Sequence, residues 1–126
     1  MKRWAFLLFL AHHSLTGSYD ISAQITLEGT VREFHFVNPH PYLTVEATRD
    51  GKTQRWKMEM DNSSELIQIK MTGSTLKNGD KITVSGSPGR DNAPALYIRR
   101  LDRPSDGFWY EQVGSEPRMG MGMGKR

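Results

Sequence analysis

The chain has 126 residues, with 17 basic and 14 acidic side chains, a formal net charge of +3 and no cysteine. This length suits one domain, and the absence of cysteine excludes disulfides, cysteine-bound zinc, iron–sulfur clusters and thiol catalysis. Four of the basic residues stand at the two ends, so the remainder is close to neutral with alternating signs; these four are Lys2, Arg3, Lys125 and Arg126. Such a distribution argues against a concentrated nucleic-acid-binding face.

Residues 1–11 have the pattern of a secretory signal, because Lys2 and Arg3 precede an apolar run that ends at Ala11. The run is too short for a transmembrane helix. We therefore expect a periplasmic or secreted bacterial protein without a membrane span, in which residues 12–23 form an extended N-terminal segment. The alternative is an apolar N-terminal helix that packs on the folded domain, and a later cleavage site after Ala23 also stays open.

A first strand is predicted over residues 24–37, which are rich in β-branched and aromatic side chains. Leu27 and Val31 share one face, but Phe34 falls on the other, which a strictly alternating strand would not allow. Gly29 therefore predicts a bend or bulge where the strand passes from one sheet to another.

Two further strands follow the Asn38-Pro39-His40-Pro41 segment, whose prolines interrupt strand pairing. The second strand runs to Arg49, and Asp50-Gly51 predicts a hairpin turn, because it supplies the positive φ angles of such turns. The third strand runs from Thr53 to Met60. Inward positions on the two strands are Leu43, Val45, Ala47, Trp56, Met58 and Met60.

A short helix is predicted to begin at an Asn62 cap, with Glu65 at the capping-box spacing, and to end at Gly73. Strands over residues 81–87 and 95–103 complete the order β-β-β-α-β-β. This is the order of the small five-stranded Greek-key barrel called the OB-fold, so we expect an all-β, OB-like barrel domain over residues 24–103. Residues 104–126 are predicted to be a flexible tail, since the glycines, methionines and charges of residues 114–126 cannot build a core. The alternative for Phe108, Trp109 and Tyr110 is that they pack back on the barrel.

Several of these motifs together resemble a family of small exported bacterial proteins built on a domain of unknown function. The resemblance spans about residues 11 to 103 and implies an exported barrel without an established activity. Its motifs are Ala11-His12-His13-Ser14, Leu27-Glu28-Gly29-Thr30-Val31, Asn38-Pro39-His40, the pair Trp56 and Glu59, and Leu76-Lys77-Asn78-Gly79-Asp80. Met58, Met60 and the Met-Gly tail depart from that pattern.

Two adjacent histidines follow the predicted signal. Cleavage after Ala11 would make His12 the N-terminus, and its amine and imidazole would form a chelate suited to copper(II), which favours nitrogen ligands in a tetragonal plane. If Ala11 is retained, His13 stands third and can bind copper or nickel together with amide nitrogens. The alternative is a solvated polar stretch.

OB-folds bind ligands on strands two and three and with the loops that join strands one to two and four to five. Asn38 and His40 lie in the first of these loops, so they are candidate ligand-binding residues, and His40 joins His12 and His13 as a candidate copper ligand. The alternative for His40 is a turn histidine bonded to a nearby carbonyl. His35 is expected to have a structural or surface role.

Methionines offer a second route to copper, as copper(I). Trp56, Met58 and Met60 share one strand face, which favours core packing. The tail methionines are Met119, Met121 and Met123. They can collect copper(I) loosely or form an unselected low-complexity end.

No catalytic motif is present, so the protein is expected not to be an enzyme. We expect a monomeric, exported module that binds a small ligand, a metal ion such as copper or another envelope protein. The alternatives are an interaction module without a small ligand and, if the chain is not exported, a nucleic-acid-binding barrel. That last alternative would use Arg49, Lys52, Arg55, Arg90, Arg99, Arg100, Arg103, Tyr42 and Tyr97.

Overall fold

A computed structural model of the chain describes residues 17–114 and 116–122. The predicted signal (residues 1–11), His12, His13 and Met123 lie outside the described residues. The elements, in chain order, are β1 (Ile25–His35), β2 (Tyr42–Arg49), β3 (Lys52–Glu59), α1 (Ser63–Gln68), β4 (Lys81–Pro88), a short 3-10 turn (Arg90–Asn92), β5 (Ala95–Arg103), β6 (Phe108–Val113) and β7 (Glu116–Gly120).

The first five strands close into a barrel. Strand β1 pairs with β2 along one part of its length and with β4 along the other, β2 pairs with β3, and β4 pairs with β5. A parallel pairing between β3 and β5 closes the ring, and α1 lies between β3 and β4 in the chain. This is the order of an OB-like Greek-key barrel, so the predicted fold is confirmed.

Alternating side chains of these strands fill the barrel, as the period-two pattern predicts. The chain passes between the two halves of the barrel along β1, but the bulge lies between Val31 and Glu33, not at Gly29. The extra residue, Arg32, restores Phe34 to the side of the core, which explains the broken alternation in the sequence. Gly29 instead allows close approach of the strands, because a Cβ there would lie 2.6 Å from Cγ1 of Val45.

The helix α1 begins as predicted but ends early. The Asn62 side chain accepts a hydrogen bond from the backbone N–H of Glu65 at 3.0 Å. Lys70 then adopts a φ of 80°, and the N–H of Met71 bonds the carbonyl of Leu66 at 3.0 Å. These bonds form a Schellman-type end, so the prediction that Gly73 ends the helix is wrong.

The prediction of a flexible tail over residues 104–126 is wrong, because this part of the chain contains β6 and β7. Strand β3 pairs with β5 only at residues 95–97 of β5. Strand β6 pairs with the C-terminal part of β5, Arg100–Arg103. Tyr110, on β6, is fully buried. The Trp109 ring packs against Gly120, where a Cβ would lie only 2.9 Å from the ring. Backbone pairing and two aromatic side chains thus order a segment that its glycines and methionines suggested was mobile.

Candidate functional site

One row of side chains crosses the outside of the barrel at the end where β2 begins. We call it the outer face and define it by His35, Tyr42, Lys57, Glu59 and Tyr97. Tyr42 on β2 stands opposite His35 on β1 and opposite Glu59 on β3. Glu59 in turn stands beside Tyr97 on β5. The outward positions of four strands therefore meet in one row, next to the loop that joins β1 to β2.

Half of the outer face is open. The rings of His35 and Tyr42 stack with centroids 4.4 Å apart and an interplanar angle of 17°. Nζ of Lys57 lies 4.7 Å from the centroid of the Tyr42 ring, which is a cation–π distance. The Nε2 atom of His35 is 2.9 Å from a carboxylate oxygen of Glu33. His35 is thus a surface residue, and it contributes to an organised patch of aromatic and charged groups.

The other half is covered by Tyr19, the first residue of the segment 19–24 that precedes β1 and that we call the strap. The Tyr19 hydroxyl donates a hydrogen bond to Glu59, and the Tyr19 ring lies 5.9 Å from the Tyr97 ring. Tyr19 forms a β-bridge with Gly89, and Tyr19 is only 5% exposed. Burial, followed by the bond to Glu59, raises the pKa of Tyr19 well above its usual value.

No local pattern selects Tyr19, because residues 12–23 are predicted only to form an extended N-terminal segment. The single sequence clue is an aromatic side chain isolated in a polar stretch. Glu59, which the sequence shows only as a motif residue with Trp56, accepts a hydrogen bond from the Tyr19 hydroxyl.

The predicted ligand-binding residues Asn38 and His40 both lie exposed in the loop between β1 and β2. The Asn38 side chain accepts a hydrogen bond from the hydroxyl of Ser63, so it joins this loop to the start of α1. Nδ1 of His40 lies 3.2 Å from the carbonyl oxygen of Met60. This is the turn-histidine arrangement that the sequence left open as the alternative, and it leaves Nε2 as the ring nitrogen that could bind a metal.

Two acidic side chains lie near the covered half of the outer face. A hydrogen bond with Asp61, followed by repulsion between the two carboxylates, raises the pKa of Glu65. Burial raises the pKa of Tyr97, and the charge of Asp61 raises it further. The acidic groups near Tyr97 are opposed by Arg99, whose guanidinium lies 5.3 Å from the Tyr97 ring centroid, so this half carries both charge signs.

In the described part of the chain, no group of three or more histidine, aspartate or glutamate side chains could hold a metal ion. Trp56, Met58 and Met60 are at most 3% exposed and belong to the core. Met119 packs partly against the same core, while Met121 is 60% exposed. Met119 and Met121 are therefore in different environments, one against the core and one exposed.

The basic residues proposed for a nucleic-acid groove are partly neutralised. Arg100 pairs with Asp102 and Glu111, and Arg103 pairs with Asp80 and with Asp106, each at 2.8 Å. The outside of the barrel also has an open groove of about 550 Å³ lined by both charge signs and by threonines. Its charged lining residues are Glu28, Arg32, Glu46 and Lys81.

Comparison with known families matches residues 7–96 to the Family of unknown function (DUF6152). The chain belongs to this family. The match confirms membership of a family without an assigned role, as the sequence motifs suggested. No curated protein matches this DUF6152 member. None of the helices in the described residues is both long enough and apolar enough to cross a membrane.

Proposed function

We propose that this DUF6152 member is an exported binding module that holds a polypeptide ligand on its outer face. The observation that carries the proposal is the stacked pair His35 and Tyr42 with Lys57 beside it, left open on the side of the barrel. OB-folds bind on strands two and three, and Tyr42 and Lys57 lie on those strands. Rigid aromatic groups with a nearby charge are typical of the anchoring residues of protein interfaces.

A crosslinking experiment tests this face. A photo-crosslinking amino acid replaces Tyr42 in the intact protein in living cells, and the same amino acid at Ile67, which is 56% exposed on α1, serves as the matched control. We expect a discrete protein adduct from position 42 that Lys57→Glu reduces, and no such adduct from position 67. Equal adducts from both positions, or none from position 42, would contradict the proposal.

Export rests on the basic and then apolar N-terminus, residues 1–11. The intact mass of the protein from the envelope fraction tests it. We expect a shortened chain that begins at His12, because cleavage at the later site, after Ala23, would remove Tyr19 and its contacts with Glu59 and Gly89. An uncleaved chain in the cytosol would remove this part of the proposal and bring nucleic acid back as a candidate partner.

Copper is a second candidate ligand, because a chain that begins at His12 has an amine and an imidazole on one residue. His13 precedes Tyr19 by six residues, a length that reaches at most about 20 Å when extended. Tyr19 is bound to Glu59, and the next residue, Met60, contacts His40. We therefore propose His40 as a further ligand of a copper site formed with His12 and His13.

Titration of the mature protein with copper(II), followed by absorbance and electron paramagnetic resonance, tests the second candidate. We expect one equivalent to bind, His12→Ala to abolish the site, and His40→Ala to change its spectrum. The matched control is His35→Ala, because that imidazole is held by Glu33 and Tyr42. A spectrum unchanged by His12→Ala would contradict the copper assignment.

A further inference from the structure

The strap has a single buried side chain. Tyr19 is buried, whereas Asp20 and Ala23 are half-exposed and the other three strap residues are exposed. Beyond the bridge at Gly89, one backbone bond joins the strap to the barrel, from the N–H of Asp20 to the carbonyl of Pro88 at 2.8 Å. Segments with few buried apolar contacts open locally at a lower free energy than the whole domain.

The site that Tyr19 fills has the contacts of a tyrosine-binding site. Glu59 accepts the phenol hydroxyl, the Tyr97 ring contacts the side of the phenol ring, and Gly89 and Pro88 supply backbone partners for an extended peptide. A hydroxyl bonded to a charged carboxylate gives a strong and directional interaction. Removal of the strap would leave Glu59 and Tyr97 facing the outside of the barrel.

This tyrosine site adjoins the open half of the outer face, because Glu59 stands directly opposite Tyr42. A bound peptide that placed one aromatic residue on Glu59 and Tyr97 would continue onto Tyr42 and Lys57. The strap then occupies part of the surface that such a peptide needs. Tyr19 and a peptide tyrosine would compete for the same carboxylate.

We infer that the outer face takes an extended peptide that carries a tyrosine, and that Tyr19 occupies the tyrosine site within the same chain until the peptide displaces it. The inference rests on the proposed function and specifies the partner class of its binding face. Only molecules with an open strap bind the peptide, so the observed affinity equals the affinity of the open state multiplied by the open fraction.

The test uses the full chain and a synthetic peptide of residues 17–24, Gly-Ser-Tyr-Asp-Ile-Ser-Ala-Gln, acetylated and amidated. Binding is measured by NMR of ¹⁵N-labelled wild-type protein and of the Tyr19→Ala variant. We expect the peptide to shift the amide signals of Glu59, Gly89 and Tyr97 in Tyr19→Ala, and to bind wild-type protein at least about tenfold more weakly. A peptide with phenylalanine in place of tyrosine should bind about tenfold more weakly, because it lacks the hydroxyl.

Two further variants keep the outcome interpretable. Ile21→Ala changes an exposed strap residue (40% exposed) and should bind the peptide as weakly as wild-type protein does. Tyr19→Phe retains the buried ring if Tyr19→Ala is unfolded, and it should bind the tyrosine peptide more tightly than wild-type protein does.

No binding to a folded Tyr19 variant, or equal binding to wild-type protein and Tyr19→Ala, would overturn the inference. Crosslinking at position 42 detects a partner on the open half of the outer face, whereas the peptide experiment detects the tyrosine site on the covered half. A missing adduct there contradicts the proposed function, whereas missing peptide binding contradicts only the tyrosine site.

Discussion

Inside the barrel, Leu43 and Met58 are fully buried among side chains from several strands. On the outside, the strap buries one side chain, Tyr19, and its other residues are half or fully exposed. Interior positions are thus fixed by many contacts at once, while the strap is held by the buried Tyr19 side chain, its bridge to Gly89 and one backbone bond to Pro88. The barrel is therefore the densely packed part of the molecule, and we expect local opening at the strap, next to the outer face.

Truncation of a core side chain should cause the greatest loss of stability. Leu43→Ala should lower the free energy of unfolding by about 2–5 kcal/mol, because it leaves a cavity in a closed core. Chemical denaturation measures this change. Ile67→Ala, at an exposed position of α1, should change it by less than about 0.5 kcal/mol. Similar losses for the two variants would contradict the assignment of the core.

A smaller loss of stability is expected at Gly86 on β4, which lies close against the backbone of β5. Gly86→Ala should lower the free energy of unfolding by about 1–3 kcal/mol, because its Cβ would overlap the carbonyl of Tyr97 and the strands would have to shift. Gly73→Ala is the control, since its Cβ would lie 3.7 Å from the nearest atom, on Phe36. Thermal unfolding of both variants measures the difference, and equal melting temperatures would refute the close approach.

Arg103→Met tests whether ion pairs also stabilise the frame. Its guanidinium bonds Asp80, Asp106 and the carbonyl of Thr75 while the side chain is 13% exposed. We expect a loss of about 1–2 kcal/mol in chemical denaturation, because two carboxylates lose their partner. Arg118→Met removes a 61% exposed partner of Glu111 and should cost less than about 1 kcal/mol. A larger loss of stability in Arg118→Met than in Arg103→Met would contradict a stabilising role for the Arg103 ion pairs.

The smallest expected effect concerns the strap alone. Burial and the bond to Glu59 raise the pKa of Tyr19 in the closed strap, and Tyr97 packs against it. The contribution of Tyr19 to closure is therefore fully present below a pH of about 10, the usual tyrosine pKa, and is lost as the pH rises above it. NMR signals of the strap should shift there while those of β2 do not.

The same titration of Tyr19→Phe provides the control for this prediction. Phenylalanine has no proton to lose, so the alkaline shift of the strap signals should disappear in that variant. An identical shift in both proteins would assign the transition to another group.

The alternation of apolar and polar residues, with local turn and cap signals, was sufficient to predict the barrel. Alternation over β2 and β3, the Asp50-Gly51 turn and the Asn62 cap are local signals, and each appears in the structure at the expected place. Features that depend on the pairing of two strands could not be predicted from the sequence pattern. The bulge at Arg32 and the order of the C-terminal strands follow from pairing with β2 and β5, which no local pattern shows.

Little of the candidate site could be predicted in the same way. The position of Asn38 and His40 in the loop between β1 and β2 makes them candidates from the sequence. The residues that form the outer face lie instead on the strands beside this loop. The pairing of Tyr42 with His35 and Glu59 requires the register of three strands. Tyr19 requires, in addition, knowledge of where the chain before β1 returns to the barrel.

Native-state hydrogen exchange tests most directly whether the strap opens while the barrel stays closed. We predict that the N–H groups of Asp20 and Ala23, bonded to Pro88 and within the strap, exchange through a local opening that denaturant hardly affects. The N–H groups of Val45 and Met58 should exchange only through global unfolding. Strap N–H groups as protected as those of the barrel would contradict the account, because Tyr19 would then be a permanent part of the frame.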